Sequence, residues 1–214
     1  MITFSNKLRW YLGIGIALMI FVTPYFYYRY TYTYAKRLRS VVPGQVYRSG
    51  QMTAAGFAEA IETLGIRTVI NLQDEYPDPD VDLDFLGTGT IKESAMCRQL
   101  GARYVMIRPD LLPRNEVPTR HPVAIDQFLE VMDDPASYPV LIHCRAGLHR
   151  TGCLCAVYRM EYQGWSPQHA LDEMQQLGFG RFKCSSANDY IIQYVLTYQP
   201  RSARGTAEQA EPSR

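Results

Sequence analysis

The chain has 214 residues, 47% of them hydrophobic and 20% charged, with a formal net charge of +1. That length suits one well-cored domain plus appendages, and the balanced charge excludes a global pull toward a polyanion such as nucleic acid. Five cysteines, at 97, 144, 153, 155 and 184, are an odd number without the rhythm of a disulfide scaffold.

Charge is uneven along the chain. No Asp or Glu precedes Glu59, whereas Lys7, Arg9, Arg29, Lys36, Arg37, Arg39 and Arg48 do. Residues 1–9 are a short flank. Residues 10–28 carry no charge, and as a helix they reach about 28 Å, close to the thickness of the hydrocarbon core. Tyr25, Phe26, Tyr27, Tyr28, Tyr30, Tyr32 and Tyr34 crowd the end, as in an interfacial aromatic belt. Pro24 can kink such a span without abolishing it. The competing reading is a cleavable signal peptide, but the apolar run is long and no clean small-x-small site follows. Two cations before the span and four after it place the C-terminal part in the cytosol. The later four serve as a topology signal or meet anionic lipid headgroups.

Residues 29–43 read as a basic juxtamembrane linker and 44–198 as one domain. A strand is expected near 45–48, and a helix over 53–64, capped by Thr53 and ended by Gly65. Residues 67–72 have a buried-strand pattern. The acidic stretch 74–90 lacks the spacing of a calcium loop and reads as a solvated surface loop. A helix over 91–100, a strand over 102–107, a polar loop over 108–118 and an amphipathic helix over 119–132 follow. Helices are expected again over 153–163, 166–177 and 188–198. The polar tail 199–214 lacks apolar periodicity. Strands alternating with helices predict an α/β domain with a central sheet flanked by helices.

The chemistry concentrates at 143–152, His-Cys-Arg-Ala-Gly-Leu-His-Arg-Thr-Gly, between the apolar run 139–142 and a helical run. A cysteine at the end of such a strand faces the next helix's N-terminus, where unpaired amides and the dipole favour negative charge. Such a thiol ionises readily, and the same amides cradle a phosphate-like anion. Arg150 can close the cradle with its planar fork of donors. A working thiolate needs a reducing compartment, which again favours the cytosol.

The pattern His-Cys-x5-Arg-Thr-Gly resembles the signature of the cysteine-dependent protein tyrosine and dual-specificity phosphatases. The resemblance runs from about residue 46 to 198, and 44–51 and 64–72 look like the opening strand and first helix-to-strand junction of such domains. It implies that Cys144 attacks phosphorus and that Arg150 holds equatorial oxygens. The loop 145–150 (Arg145, Ala146, Gly147, Leu148, His149, Arg150) would bind the substrate phosphate. Thr151 would donate to the sulfur, and His143 would fix the loop from below. The general acid matches Asp110, 34 residues before Cys144, with Glu116 as the alternative. No metal or cofactor is implied.

Arg145 resembles the basic position of phosphoinositide phosphatases; its alternative is a local ion pair. The run 149–154 resembles atypical members acting on inositol pyrophosphates. Cys153 and Cys155 are resolving thiols or, more simply, packing residues. The expectation is a membrane-anchored phosphatase acting on a phosphorylated protein, with an inositol-phosphate or phosphoinositide substrate as the alternative. A phosphate-binding module without turnover and a rhodanese-type sulfurtransferase are the competitors from other classes. Because the signature lies far beyond residue 39, removal of 1–39 is expected to leave a soluble, active domain.

Overall fold

The computed structural model describes residues 5–108, 122–181 and 185–202, and for 185–190 the backbone alone. Helix α1 (Asn6–Arg29) starts at Ser5, whose side chain accepts from the Leu8 amide, and continues into a π-helical turn, Tyr30–Tyr34. Together they are long and apolar enough to cross a membrane, and α1 buries no residue against the rest of the chain.

The domain is a five-stranded sheet in the order β1-β2-β7-β3-β6. Its strands are β1 (Arg39–Val42), β2 (Val46–Gly50), β3 (Thr68–Asn71), β6 (Arg103–Met106) and β7 (Val140–Cys144). The four from β2 to β6 are parallel, while β1 pairs antiparallel with β2. Val140, Leu141 and Ile142 of the central β7 are fully buried, as a strand covered on both faces requires.

Side chains alternate between two cores. Tyr47, Val69 and Leu141 pack against α2 (Ala54–Leu64) and α3 (Glu93–Gln99). Val46, Ile70, Ile142 and Cys144 face the other layer, with α4 (Val123–Asp133), α5 (Arg150–Gln163), α6 (Pro167–Gln176) and α7 (Ser185–Thr197). The expected caps are present: the Thr53 hydroxyl accepts from the Gly56 amide at 3.1 Å, and Gly65 ends α2 in the left-handed region. Ser166 caps α6 in the same way, with Pro167 at its first position.

Three segments differ from the sequence expectation. Residues 39–42, expected within a linker, form the edge strand of the sheet. The acidic stretch holds a strand, β4 (Asp80–Asp82), paired with β5 (Thr90–Lys92). Helix α3 therefore starts at Glu93, because β-branched Thr90 and Ile91 are drawn into that hairpin and Val81 opposite is buried. The tail beyond 202 lies outside the described residues.

Candidate active site

The carboxyl ends of β2, β3 and β7 meet at one edge of the sheet, with Gly50 in register with Cys144 and Asn71 with His143. In open parallel sheets ligands bind at such an edge. Cys144 is the last residue of β7, 145–149 form a loop, and α5 begins at Arg150. The Gly147 amide donates to Cys144 Sγ at 3.2 Å. Gly147 sits at φ +72°, and a Cβ there would lie 2.5 Å from the Gly50 nitrogen and from the Ser49 carbonyl oxygen. Only glycine lets the loop press this closely on β2.

Three successive carbonyls of the loop are held from outside. The Gln51 amide donates to Arg145 O at 3.3 Å. Arg37 Nη1 donates to Ala146 O and Arg48 Nη2 to Gly147 O, each at 2.9 Å. A trans peptide directs its N–H opposite to its C=O. Pinning these carbonyls outward therefore turns the amides of 146, 147 and 148 inward, which makes a nest for an anion above the helix N-terminus. Arg48 is 3% exposed, a charge in a strand whose five residues are all buried.

Arg150 lies across the mouth. Its Nη1 and Nη2 bond Glu75 Oε2 and Oε1 at 2.8 Å each, and Nη2 also meets the Asp74 carboxylate. The pair holds the Glu75 carboxyl down at about 2, chiefly through the Arg150 hydrogen bonds. The Nε–H takes no part in these bonds. Both Nη atoms of the guanidinium are thus oriented by carboxylates.

His143 lies on the opposite face of β7 from Cys144. Its Nε2 sits 2.7 Å from Glu93 Oε1 with both side chains fully buried, and Phe57 packs edge-on against the ring. It ties β7 to α3; its side-chain bond goes to that helix and not to the loop. The buried Thr151 hydroxyl has no partner among the described residues. The sequence expectation had it donate to Cys144 Sγ, a bond the structure does not contain. His149 precedes α5 and packs on Phe179 at 5.5 Å, and Leu148 is buried.

A cavity of about 380 Å³ opens beside the loop, lined among others by Lys36, Gln73, Tyr76 and Arg145. Burial, then the charges of Arg145 and Arg37, push the Lys36 ammonium below its ordinary value. Gln73 is fully buried and neither atom of its amide has a partner among the described residues. Arg145 is exposed and pairs with no carboxylate among them, against the local ion pair considered from sequence. Asp80 and Asp82 also line the cavity. Burial pushes Cys153 up to about 12 and raises Cys155, which disfavours either as a ready resolving thiol.

Asp110 and Glu116 lie outside the described residues. Sequence reasoning missed Lys36, Arg37, Arg48, Gln73, Asp74 and Glu75 as parts of the site. The one available signal was Arg48, a lone charge inside a strand pattern. The expected cut at residue 39 would also remove Arg37 from Ala146, and the Lys36 carbonyl from the Gly50 amide, bonded at 2.7 Å.

A family model described as the tyrosine phosphatase family matches residues 37–204. The inositol diphosphatase DSP3 of Arabidopsis thaliana is 34% identical over 137 residues, 64% of this chain and 60% of that protein. The chain therefore spans less than two thirds of that relative. The dual specificity protein phosphatase TpbA of Pseudomonas aeruginosa is 57% identical over 42 residues, 20% of this chain and 19% of that protein. The crystal structure of the core catalytic domain of the PP-IP phosphatase SIW14 from Saccharomyces cerevisiae has the same fold. It superposes with a TM-score of 0.56 at 21% identity, covering 80% of this chain and 91% of that one.

Proposed function

We propose, from the premise that this chain belongs to the tyrosine phosphatase family, that it dephosphorylates a small, densely phosphorylated substrate of the inositol diphosphate class. Cys144 Sγ attacks phosphorus, the bond to the leaving oxygen breaks, and a cysteinyl-phosphate forms. Water then displaces the thiolate and inorganic phosphate leaves. Arg150 and the inward amides of the loop hold the equatorial oxygens as charge reorganises. The Thr151 hydroxyl, buried and without a partner among the described residues, would have to turn toward Cys144 Sγ to donate to the departing sulfur. His143 is a positioning residue through β7, and Asp110 supplies the proton to the leaving oxygen.

The observation that carries the chemistry is the Gly147 amide on Cys144 Sγ, with the neighbouring loop carbonyls turned outward. The substrate class rests on Lys36, Arg145 and the Gln73 amide beside that loop, which has no partner among the described residues, together with the inositol diphosphatase relative. Phosphate groups beyond the reacting one need such cations. A phosphoprotein substrate is the second reading, favoured by the 42-residue match to a dual specificity protein phosphatase.

The apolar helix without buried residues supports a single-pass anchor. The excess of cations after it supports a cytosolic domain. The full-length protein should be assayed against an inositol pyrophosphate, a phosphoinositide, and phosphotyrosine and phosphothreonine peptides. We expect kcat/KM to favour the pyrophosphate by about tenfold or more, with Cys144→Ser inactive on all four. A peptide as best substrate would install the second reading, and turnover by Cys144→Ser would place the nucleophile elsewhere.

A further inference from the structure

A second cavity, of about 370 Å³, lies where the chain leaves α1. Tyr30 and Tyr32 of the π-helical turn, Arg37 and Arg39 after it, Leu148 of the catalytic loop and Arg181 are among its lining residues. Three arginines from two distant segments thus share one groove, and among the described residues no carboxylate lines it. Among the described residues none of the three has an acidic partner. Arg37 lies over the Tyr32 ring at 5.2 Å and bonds Ala146 O, and Arg39 Nη1 bonds Leu177 O at 3.2 Å. Burial, followed by the charges of Arg48 and Arg37, lowers the Arg39 guanidinium. Like charges gathered this way, without a counterion among the described residues, suit an external anion.

The position of the groove narrows the choice of anion. It starts at Tyr30, directly after the last residue of α1. If α1 spans a bilayer, residues one turn beyond it lie at headgroup depth. The same end of α1 carries another sign of bilayer contact. Phe85, in the loop after β4, packs on Phe26 of the helix at 6.2 Å, and the neighbouring Leu86 is 69% exposed. Tyrosines and leucines flank the arginines in the groove, as an amphiphile with a charged head would require.

We propose that this groove binds the headgroup phosphate of an anionic phospholipid, separately from the catalytic cavity. The proposal rests on α1 as a membrane span. Through Arg37 and Leu148 the bound lipid would touch the support of the catalytic loop.

The test uses the full-length protein in detergent. It is offered equal amounts of phosphatidylglycerol and phosphatidylcholine, and retained lipid is counted by native mass spectrometry. Phosphatidylglycerol should be retained about tenfold over phosphatidylcholine. Glycerol 3-phosphate, the same phosphate without acyl chains, should not displace it. The double variant Arg39→Gln with Arg181→Gln should lower retention about 25-fold, from about fivefold for each arginine near the surface. Turnover of a soluble substrate should be unchanged in that variant, since neither residue supports the catalytic loop. Arg67→Gln with Arg98→Gln, two exposed arginines elsewhere on the domain, should retain lipid like the parent.

Equal retention of the two lipids would overturn the proposal, as would an equal loss in the control variant. Full displacement by glycerol 3-phosphate would identify a soluble phosphate ligand and overturn the lipid assignment. A high-salt and carbonate wash of native membranes separates the two readings. Release of the protein would remove the span and the groove's role with it. Retention in the membrane without lipid preference would overturn the groove alone.

Discussion

Arg37 lies outside the signature, yet replacing it should slow catalysis. Its guanidinium holds Ala146 O at 2.9 Å, and the amide of the same peptide unit, Gly147 N–H, donates to Cys144 Sγ at 3.2 Å. Arg37→Ala therefore frees one face of a peptide whose other face meets the nucleophile. A hydrogen bond from a charged group contributes about 1.5–3 kcal/mol, and the half-buried setting of Arg37 calls for the low end. At about 1.4 kcal/mol per factor of ten, kcat/KM should fall about 10- to 30-fold. The fall should appear mainly in kcat, because the contact acts on the reacting sulfur and on charge that develops in the transition state. Arg37→Lys should recover part of the rate, since an ammonium can still reach one carbonyl. Arg39→Gln, whose bond goes to Leu177 O, should leave kcat in place. Lowered thermal stability with unchanged kcat would refute the reasoning and make Arg37 a purely structural contact.

Gly147→Ala should cost more than Arg37→Ala, because the left-handed conformation and a Cβ 2.5 Å from two backbone atoms of β2 both oppose it. We expect a drop of about 100-fold or more in kcat/KM, and near-normal turnover would mean the loop adapts freely. Glu75 has its folded value pulled down to about 2 from the ordinary 4.5 by Arg150. Its contribution to stability is therefore complete above about pH 4.5 and fades as pH falls toward 2. Thermal melts of Glu75→Gln should be flatter than the parent's across that window, by less than about 1 kcal/mol because the side chain is 47% exposed; identical slopes would refute the pairing. Asp110→Asn should slow hydrolysis of an alkyl phosphate about 100-fold. It should slow removal of the terminal phosphate of a diphosphate much less, since a departing phosphate needs little protonation. Equal losses on both would make Asp110 structural, and Glu116→Gln would then be the variant to measure.

The setting of Cys144 and Arg150 was legible in the sequence because strand, tight loop and helix follow one another within a few residues. Local order alone places a cysteine at a helix N-terminus, and the apolar run before it and the helical run after it mark both boundaries. The alternation of strands and helices made the α/β class legible in the same way, as did the caps at Thr53, Gly65 and Ser166. The local pattern was less informative at 90–92, where an isolated Thr-Ile-Lys looks like the start of a helix until Val81 supplies a partner strand. What holds the loop's carbonyls outward was invisible for a different reason. Arg37 and Arg48 lie 109 and 99 residues from the carbonyls they bind, and Glu75 lies 75 residues from Arg150. Such contacts depend on the strand order β1-β2-β7-β3, which sets segments far apart in the chain side by side at one edge of the sheet. The sequence by itself determined the signature motif and the apolar N-terminal helix, because each is a property of contiguous residues. Only the tertiary structure decided that the stretch after this helix packs beside the Cys144 loop, because a hydrogen bond and a shared groove are set by distance in space.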